Sequence, residues 1–418
     1  MKKIIISLLI LLSIISFANP NLNKPWNYSF NPALMDYGTR NFIDIGGDFN
    51  LVFTQPFLNF NDLFKESLVI DLNNIYDNLN GNNLKIYLNA DAMAYGKLHI
   101  WFASFAQTVR INTDTKIELP NDLIKLISYG NVNNGEIDNL EGEGLINSKI
   151  IFESSSYISL QGRNSIFGLS LTRFFPIGLL KSNIKFDNVT DVDNARMNIN
   201  YTYSGNIYSS MKSFEAINTK LNENYSYNGD GLYEDFMEVL SNDFGTKINL
   251  GYINKGGKWG LSLNDIVLKP ANVKYNYTLM ATGSINVDNL EIITDMGTPV
   301  IEKSEENLSK TYPETDLDMP INVSFFKTFN ILFNPTPHIQ YFLGKGLAWG
   351  INFDGNLLFI PFWLDFSNNI DYWSLNTGLG LNLHIVDINF SAESNSFELG
   401  NIFKFNNFSF KINFAAGI

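Results

Sequence analysis

The sequence predicts an all-β protein, an antiparallel transmembrane β-barrel of about 14 strands with short helical insertions. Three observations carry that expectation. The C-terminal run alternates strictly: Phe408, Phe410, Ile412, Phe414, Ala416 and Ile418 oppose Asn407, Ser409, Lys411, Asn413, Ala415 and Gly417. Successive strand side chains point to opposite faces, so this segment has one apolar and one polar wall. The same alternation recurs along the chain behind an export-type leader. No later segment reaches the 18 or so apolar residues of a membrane helix, because Pro361 interrupts the densest patch, Leu357 to Leu364. A bilayer tolerates no open sheet edge, so a membrane location requires a closed barrel.

The elements follow in chain order. Residues 1–18 read as a signal peptide, with Lys2 and Lys3 ahead of an apolar stretch from Ile4 to Ile15 and a Ser16-Phe17-Ala18 cleavage site. Residues 19–41 are expected to form an N-terminal periplasmic or plug segment, and residues 42–418 the barrel, with long loops at 54–83, 113–147, 207–242 and 284–319. Alternating strands are expected around Ile43–Phe53, Phe167–Thr172, Met197–Tyr203, Ile248–Tyr252, Trp259–Asn264 and Trp373–Leu383. Their polar members are mostly Gly, Ser, Asn and Thr, which suit a crowded or wetted lumen. Arg163-Asn164, Lys255-Gly256-Gly257-Lys258 and Gly344-Lys345-Gly346 are expected to supply the positive φ of tight hairpins.

Four stretches break this rhythm. Helical spacing marks Asp62–Leu79, with Asn80-Gly81 as its stop, and Pro120–Tyr129, with Pro120 near the first turn. Ser213–Asn242 mixes two helical pieces around a polar turn, and Asp288–Thr315 reads as an acidic, solvent-exposed loop. Such insertions either cap the barrel mouth or constrict the lumen.

Composition narrows the function classes. The chain holds no cysteine, which excludes disulfides, thiolate metal sites and a cysteine nucleophile. The formal charge of −13 becomes −15 without the two leader lysines, which argues against a nucleic-acid partner. It is compatible with a cation-favouring lumen or with acidic loops. The three histidines, His99, His338 and His384, show no metal-ligand spacing, and His99 reads as a lumen-facing polar residue. There is no GxSxG elbow, nucleotide loop or distinguished carboxylate pair. Asn228-Gly229-Asp230-Gly231 with Glu234 and Asp235 lacks the full ligand order of a calcium loop, and a turn feeding a helix explains it. No catalytic, metal or cofactor site is expected. Trp101, Trp259, Trp349, Trp363 and Trp373 lie in or beside strands and are expected to form interfacial belts.

Several motifs then carry a resemblance. Asn31-Pro32-Ala33, ahead of the first strand, resembles the Asn-Pro-Ala start of fatty-acid-transporter-like barrels. The stretches Ile117–Asn131, Gly135–Asp138, Lys149–Arg173, Asn249–Ile266 and Met319-Pro320 are similar, in order, to an uncharacterised family of bacterial outer-membrane β-barrels related to them. The chain departs from the usual ending, since Ile418 stands where such barrels carry an aromatic. The resemblance implies an outer-membrane location and passage of hydrophobic compounds through a plugged barrel. The expected partners are outer-membrane lipid, a small or hydrophobic solute and an envelope protein. Passive transport leads, a structural or scaffold barrel is the alternative, and an outer-membrane enzyme ranks third.

Overall fold

The computed structural model describes residues 24, 27–37, 41–55, 71–129, 132–133, 136–137, 139–191, 196–211, 230–273, 275–288, 291–296, 300–303, 319–357, 359–383, 385–404 and 407–418. The expected leader, His384 and the 62–70 part of the first helical stretch lie outside these residues. Strands dominate: β1 (Ile43–Thr54), β2 (Leu84–Ile100), β3 (Ala103–Leu119), a two-residue pair β4 (Val132–Asn133) and β5 (Glu136–Ile137), β6 (Glu141–Gln161), β7 (Ser165–Asp191), β8 (Arg196–Ser209), β9 (Gly245–Asn254) and β10 (Trp259–Lys269). They continue as β11 (Tyr275–Asp288), β12 (Glu291–Met296), β13 (Val300–Lys303), β14 (Asn322–Lys327), β15 (Thr336–Phe342), β16 (Gly346–Leu357), β17 (Ile360–Asn368), β18 (Trp373–Asn382), β19 (Val386–Ser396) and β20 (Phe408–Gly417).

Fourteen of them close a ring, β1-β2-β3-β6-β7-β9-β10-β14-β15-β16-β17-β18-β19-β20, every pair antiparallel. Closure is direct, because β1 pairs β2 on one side (Asp44↔Lys97) and β20 on the other (Asp44↔Gly417). No edge remains in the ring, which removes the row of unpaired backbone groups an open sheet would present.

The register turns the usual soluble arrangement inside out. Leu379 is 62 % exposed and Phe414 50 %, whereas Ser170 and Ser104, on the other face of their strands, are fully buried. Large apolar side chains stand outward and small polar ones inward, as the alternation predicts. One end of the ring, here the terminal end, holds Ile43, Ile418 and the short turns 101–102, 162–164 and 255–258. The opposite loop end carries the long connections. In the turns, positive φ falls on Gly344 and Gly346 but on Lys258 at the second site, and neither Arg163 nor Asn164 adopts it.

The wall forks at β7. Residues 165–174 of β7 pair with β9 inside the ring, while residues 179–191 pair with β8, which lies outside it. A bulge in the β6–β7 ladder between Ile150 and Ile151 marks the divergence. β8 in turn pairs β11, and β11 pairs β12 and β13. Two expectations are corrected here. The 197–203 alternation belongs to this branch and not to the barrel, and the expected 284–319 loop contains β12 and β13. Strands β3 and β6 also reach into the expected 113–147 loop.

Among the described residues, three α-helices accompany the loop end: α1 (Leu72–Leu79), α2 (Asn121–Tyr129) and α3 (Asp230–Asn242). Asp71 caps α1 by accepting from Asn74 N, and Asn80 ends it in the left-handed conformation at φ 50°. α1 and α2 bury Ile75, Leu79 and Ile124 against Leu84, so they pack as a pair on the rim. α3 instead fills the fork, with Val239 in a cluster with Phe152, Phe174, Phe175 and Leu179. Among the described residues no helix is long and apolar enough to cross a membrane.

Candidate functional site

The lumen contains a short segment of the chain itself. Residues 32–36 form a 3-10 turn: Pro32 presets the backbone, Asn31 Oδ1 accepts from Ala33 N at 2.9 Å, and Tyr37 N donates to Leu34 O. The barrel wall is shaped to receive it. Asn31 Nδ2 donates to the backbone oxygens of Leu261 (3.2 Å) and Tyr252 (3.4 Å), and Ser262 Oγ and Asn264 Nδ2 donate to Phe30 O at 2.5 and 2.9 Å. A Cβ at Gly168 would lie 2.2 Å from Ala33 N, and one at Gly251 only 2.1 Å from Asn31 Oδ1. These two wall glycines are therefore required for the close approach. Leu34, Met35 and Tyr28 pack against Ala106, Tyr157, Ile166, Ile253 and Phe326. Contacts on β2, β3, β6, β7, β9, β10, β14 and β15 cannot all be made from outside, so the segment sits in the lumen.

Asp36 anchors its far end. His99 Nδ1 lies 3.1 Å from Asp36 Oδ1 and 2.7 Å from Ser104 Oγ, and Ser104 Oγ donates to the same carboxylate. This Ser-His-Asp grouping has no relay geometry, because serine and aspartate meet the same imidazole nitrogen. Burial holds the Tyr28 hydroxyl well above the usual tyrosine range. It pushes Tyr37 up to about 12, with Asp354 adding to the effect and a Thr328 hydrogen bond opposing it. Both phenols are therefore neutral in the plug.

The inner wall carries ordered charge. Arg110 grips Asp91 through two bonds of 2.7 and 2.9 Å and approaches Glu153 at 3.7 Å, while Lys247 bridges Glu153 (2.6 Å) and Asp265 (2.8 Å). Lys97 pairs Asp44 at 2.7 Å and Lys411 pairs Asp48 at 3.0 Å. This ladder runs across β1, β2, β3, β6, β9, β10 and β20. The β15–β19 wall differs: Asp365 meets His338 at 3.9 Å, and Glu393 accepts from Asn376 at 3.4 Å. His338 and Asp365 side chains keep 27 % and 21 % of their surface exposed beside the plug. At the loop end the 369–372 turn reaches over the lumen, with Asp371 3.0 Å from Lys116 on β3 and the Tyr372 ring 5.6 Å from that of Tyr87 on β2.

The site residues expected from sequence separate into three groups. Asn31, Pro32 and Ala33 build the plug turn. Trp101, 87 % exposed, and Trp259 stand on the outer surface at the terminal end, and Trp349 and Trp373 pair edge-to-face at 5.6 Å near the loop end. Trp363 is a correction. It faces the lumen, where its Nε1 donates to Asn376 Oδ1 at 3.0 Å and its ring lies over Gly378. In β17 the outward register belongs to Phe362, Leu364 and Phe366, so Trp363 cannot share it. The charge ladder was missed from sequence. Its signal was present as Arg110, Glu153 and Lys247 at inward positions of strands otherwise lined by Ser and Thr.

No protein-family model matches the chain and no curated protein matches it, so the resemblance to fatty-acid-transporter-like barrels rests on the motifs alone. Solved structures similar to it include the translocator domain of the autotransporter NalP from Neisseria meningitidis, at 6 % identity over 92 % of this chain and 90 % of that one, TM-score 0.29. The monoaromatic hydrocarbon channel CymD matches at 8 % identity over 97 % and 95 %, TM-score 0.33. A mutant of the monoaromatic hydrocarbon channel TodX matches at 7 % identity over 93 % of each chain, TM-score 0.33. At such values the likeness carries no functional information.

Proposed function

We propose that this chain is an outer-membrane β-barrel that passes small or hydrophobic solutes passively, with residues 27–37 as a plug seated in the lumen. The membrane reading is supported by the apolar outer surface. Ten-residue strands such as β9, β18 and β20, tilted about 40°, cover roughly 25 Å, the height of the apolar band of such barrels. Short turns and both strand termini at one end match the periplasmic side of these proteins, and the long loops match the outside.

The observation that carries the transport reading is how the plug is held. Polar bonds from Asn31 and Asp36 to a polar, glycine-relieved wall seat it, and wetted side chains persist beside it on the β15–β19 wall. Leu34, Met35 and Tyr28 also pack against the apolar wall residues, so release of the plug breaks apolar as well as polar contacts. A planar-bilayer recording tests this. The intact protein should conduct rarely, and the double variant Asn31→Ala, Asp36→Ala should show frequent discrete steps. A variant that inserts and stays silent even with Asp371→Ala and Tyr372→Ala added would defeat the reading.

The scaffold reading draws on the 369–372 turn, whose Asp371–Lys116 and Tyr372–Tyr87 contacts close the outer mouth. If it holds, removing Asp371 and Tyr372 side chains as well as the plug contacts will still leave the barrel non-conducting.

A further inference from the structure

We propose that the cavity between the β1–β2 and β19–β20 connections, at the loop end, is a saccharide-binding site. It is a half-open cavity of about 720 Å³, within the range of small-molecule pockets, with Asn78, Asn80 and Asn82 exposed on its wall. Seven of its fourteen described lining residues carry side-chain amides, against one lysine and two glutamates, which makes that wall polar and nearly neutral.

The hydrogen bonding within this wall sets the chemistry of the occupant. Asn78 Nδ2 donates to Asn74 O at 2.8 Å, Asn80 Nδ2 to Asn78 O at 3.3 Å, Asn82 Nδ2 to Leu79 O at 3.0 Å, and Asn401 Nδ2 to Glu398 Oε2 at 3.0 Å. The Oδ1 atoms of these four residues accept no hydrogen bond from the described residues. Asn80, Asn82 and Asn401 each keep a second Nδ2 hydrogen, so with Lys85 the cavity offers donors as well as acceptors. An anion would use only the donors of this set, and an apolar solute would strand donors and acceptors alike. A polyol supplies hydroxyl donors to several acceptors at once and can accept from Lys85. Phe397, 38 % exposed at the rim, gives the C–H face of a sugar ring an apolar surface. A hard cation would use the oxygens of this set and leave its N–H groups unpaired.

The sugar could be free or part of a surface glycolipid, and both present the same hydroxyls. The inference is independent of transport, because a silent barrel would bind equally well. Isothermal titration of the detergent-purified full chain with maltose, with lactose, with core oligosaccharide released from lipopolysaccharide, and with calcium chloride tests it. Saturable binding of a sugar is expected, weakened about tenfold in Asn401→Ala and in Asn82→Ala. Binding of the core oligosaccharide alone would identify a lipid-borne glycan, and binding of a disaccharide a free solute. Absence of binding by every sugar, calcium as the sole ligand, or unchanged affinity in both variants would each overturn the proposal. Phe397→Ala, altered only at the exposed rim, should also weaken binding, and it replaces either asparagine variant that loses the heat-modifiable gel mobility of a folded barrel.

Discussion

Single side chains in this barrel follow a rule opposite to that of a soluble core. Leu379 is exposed on the outer wall, while Asn376 in the same strand faces inward and joins Trp363 to Glu393. If lipid surrounds the ring, Leu379→Arg places a charge against it. It should lower folding stability in vesicles by about 2–4 kcal/mol, measured by reversible denaturant unfolding. Asn376→Ala leaves the apolar band intact and removes one bridging amide, so about 1 kcal/mol is expected. Equal losses would mean that the two residues do not face different solvents. Trp363 shows the limit of reading such positions by residue type. Tryptophan near a strand end reads as a belt residue by type, yet its place in the β17 alternation, opposite Gly378 on β18, decides its face. The local alternation agrees with it, since Trp363 shares its face with Asp365 and Ser367 and opposes Phe362, Leu364 and Phe366.

At the scale of elements, the plug and the wall were designed against each other by their smallest residues. Gly168→Leu would drive a side chain into Ala33. The strand should survive, because Gly168 lies in a long antiparallel ladder, and the plug should leave its seat. The absence of native cysteine makes the test direct. Met35→Cys, at a fully buried plug position, should react slowly with a maleimide in the parent and at least tenfold faster beside Gly168→Leu. Unchanged reactivity would show that the plug tolerates the clash. The segment was legible as a motif and a candidate plug, and its turn follows the local chemistry of Asn-Pro, a capped start with proline at its first position. Where it docks was not, since its partners lie more than 200 positions away in β9 and β10, as with Asn31 and Tyr252 at 221. The branch was misread for a related reason. β8 alternates as well as any barrel strand, and only its pairing with β7 residues 179–191 sets it outside the ring.

For the whole molecule, the outer surface sorts tryptophans by height and by side. Trp259 sits with Tyr252 and Phe325 at the terminal end, while Trp349, Phe366 and Trp373 cluster near the loop end. If lipid surrounds the ring, these two groups lie at the two interfaces, where amphipathic rings settle. Trp363 lies at the same wall but behind it. Single-tryptophan variants reconstituted with lipids spin-labelled at different acyl depths would read this arrangement. Trp259 and Trp373 should both be quenched most by shallow labels, and from opposite leaflets when the label is confined to one. Trp363 should resist every lipid label yet respond to a small aqueous quencher that enters the lumen. Strong lipid quenching of Trp363 would invert the faces of β17 and, with them, the register on which the plug, the charge ladder and the lumen depend.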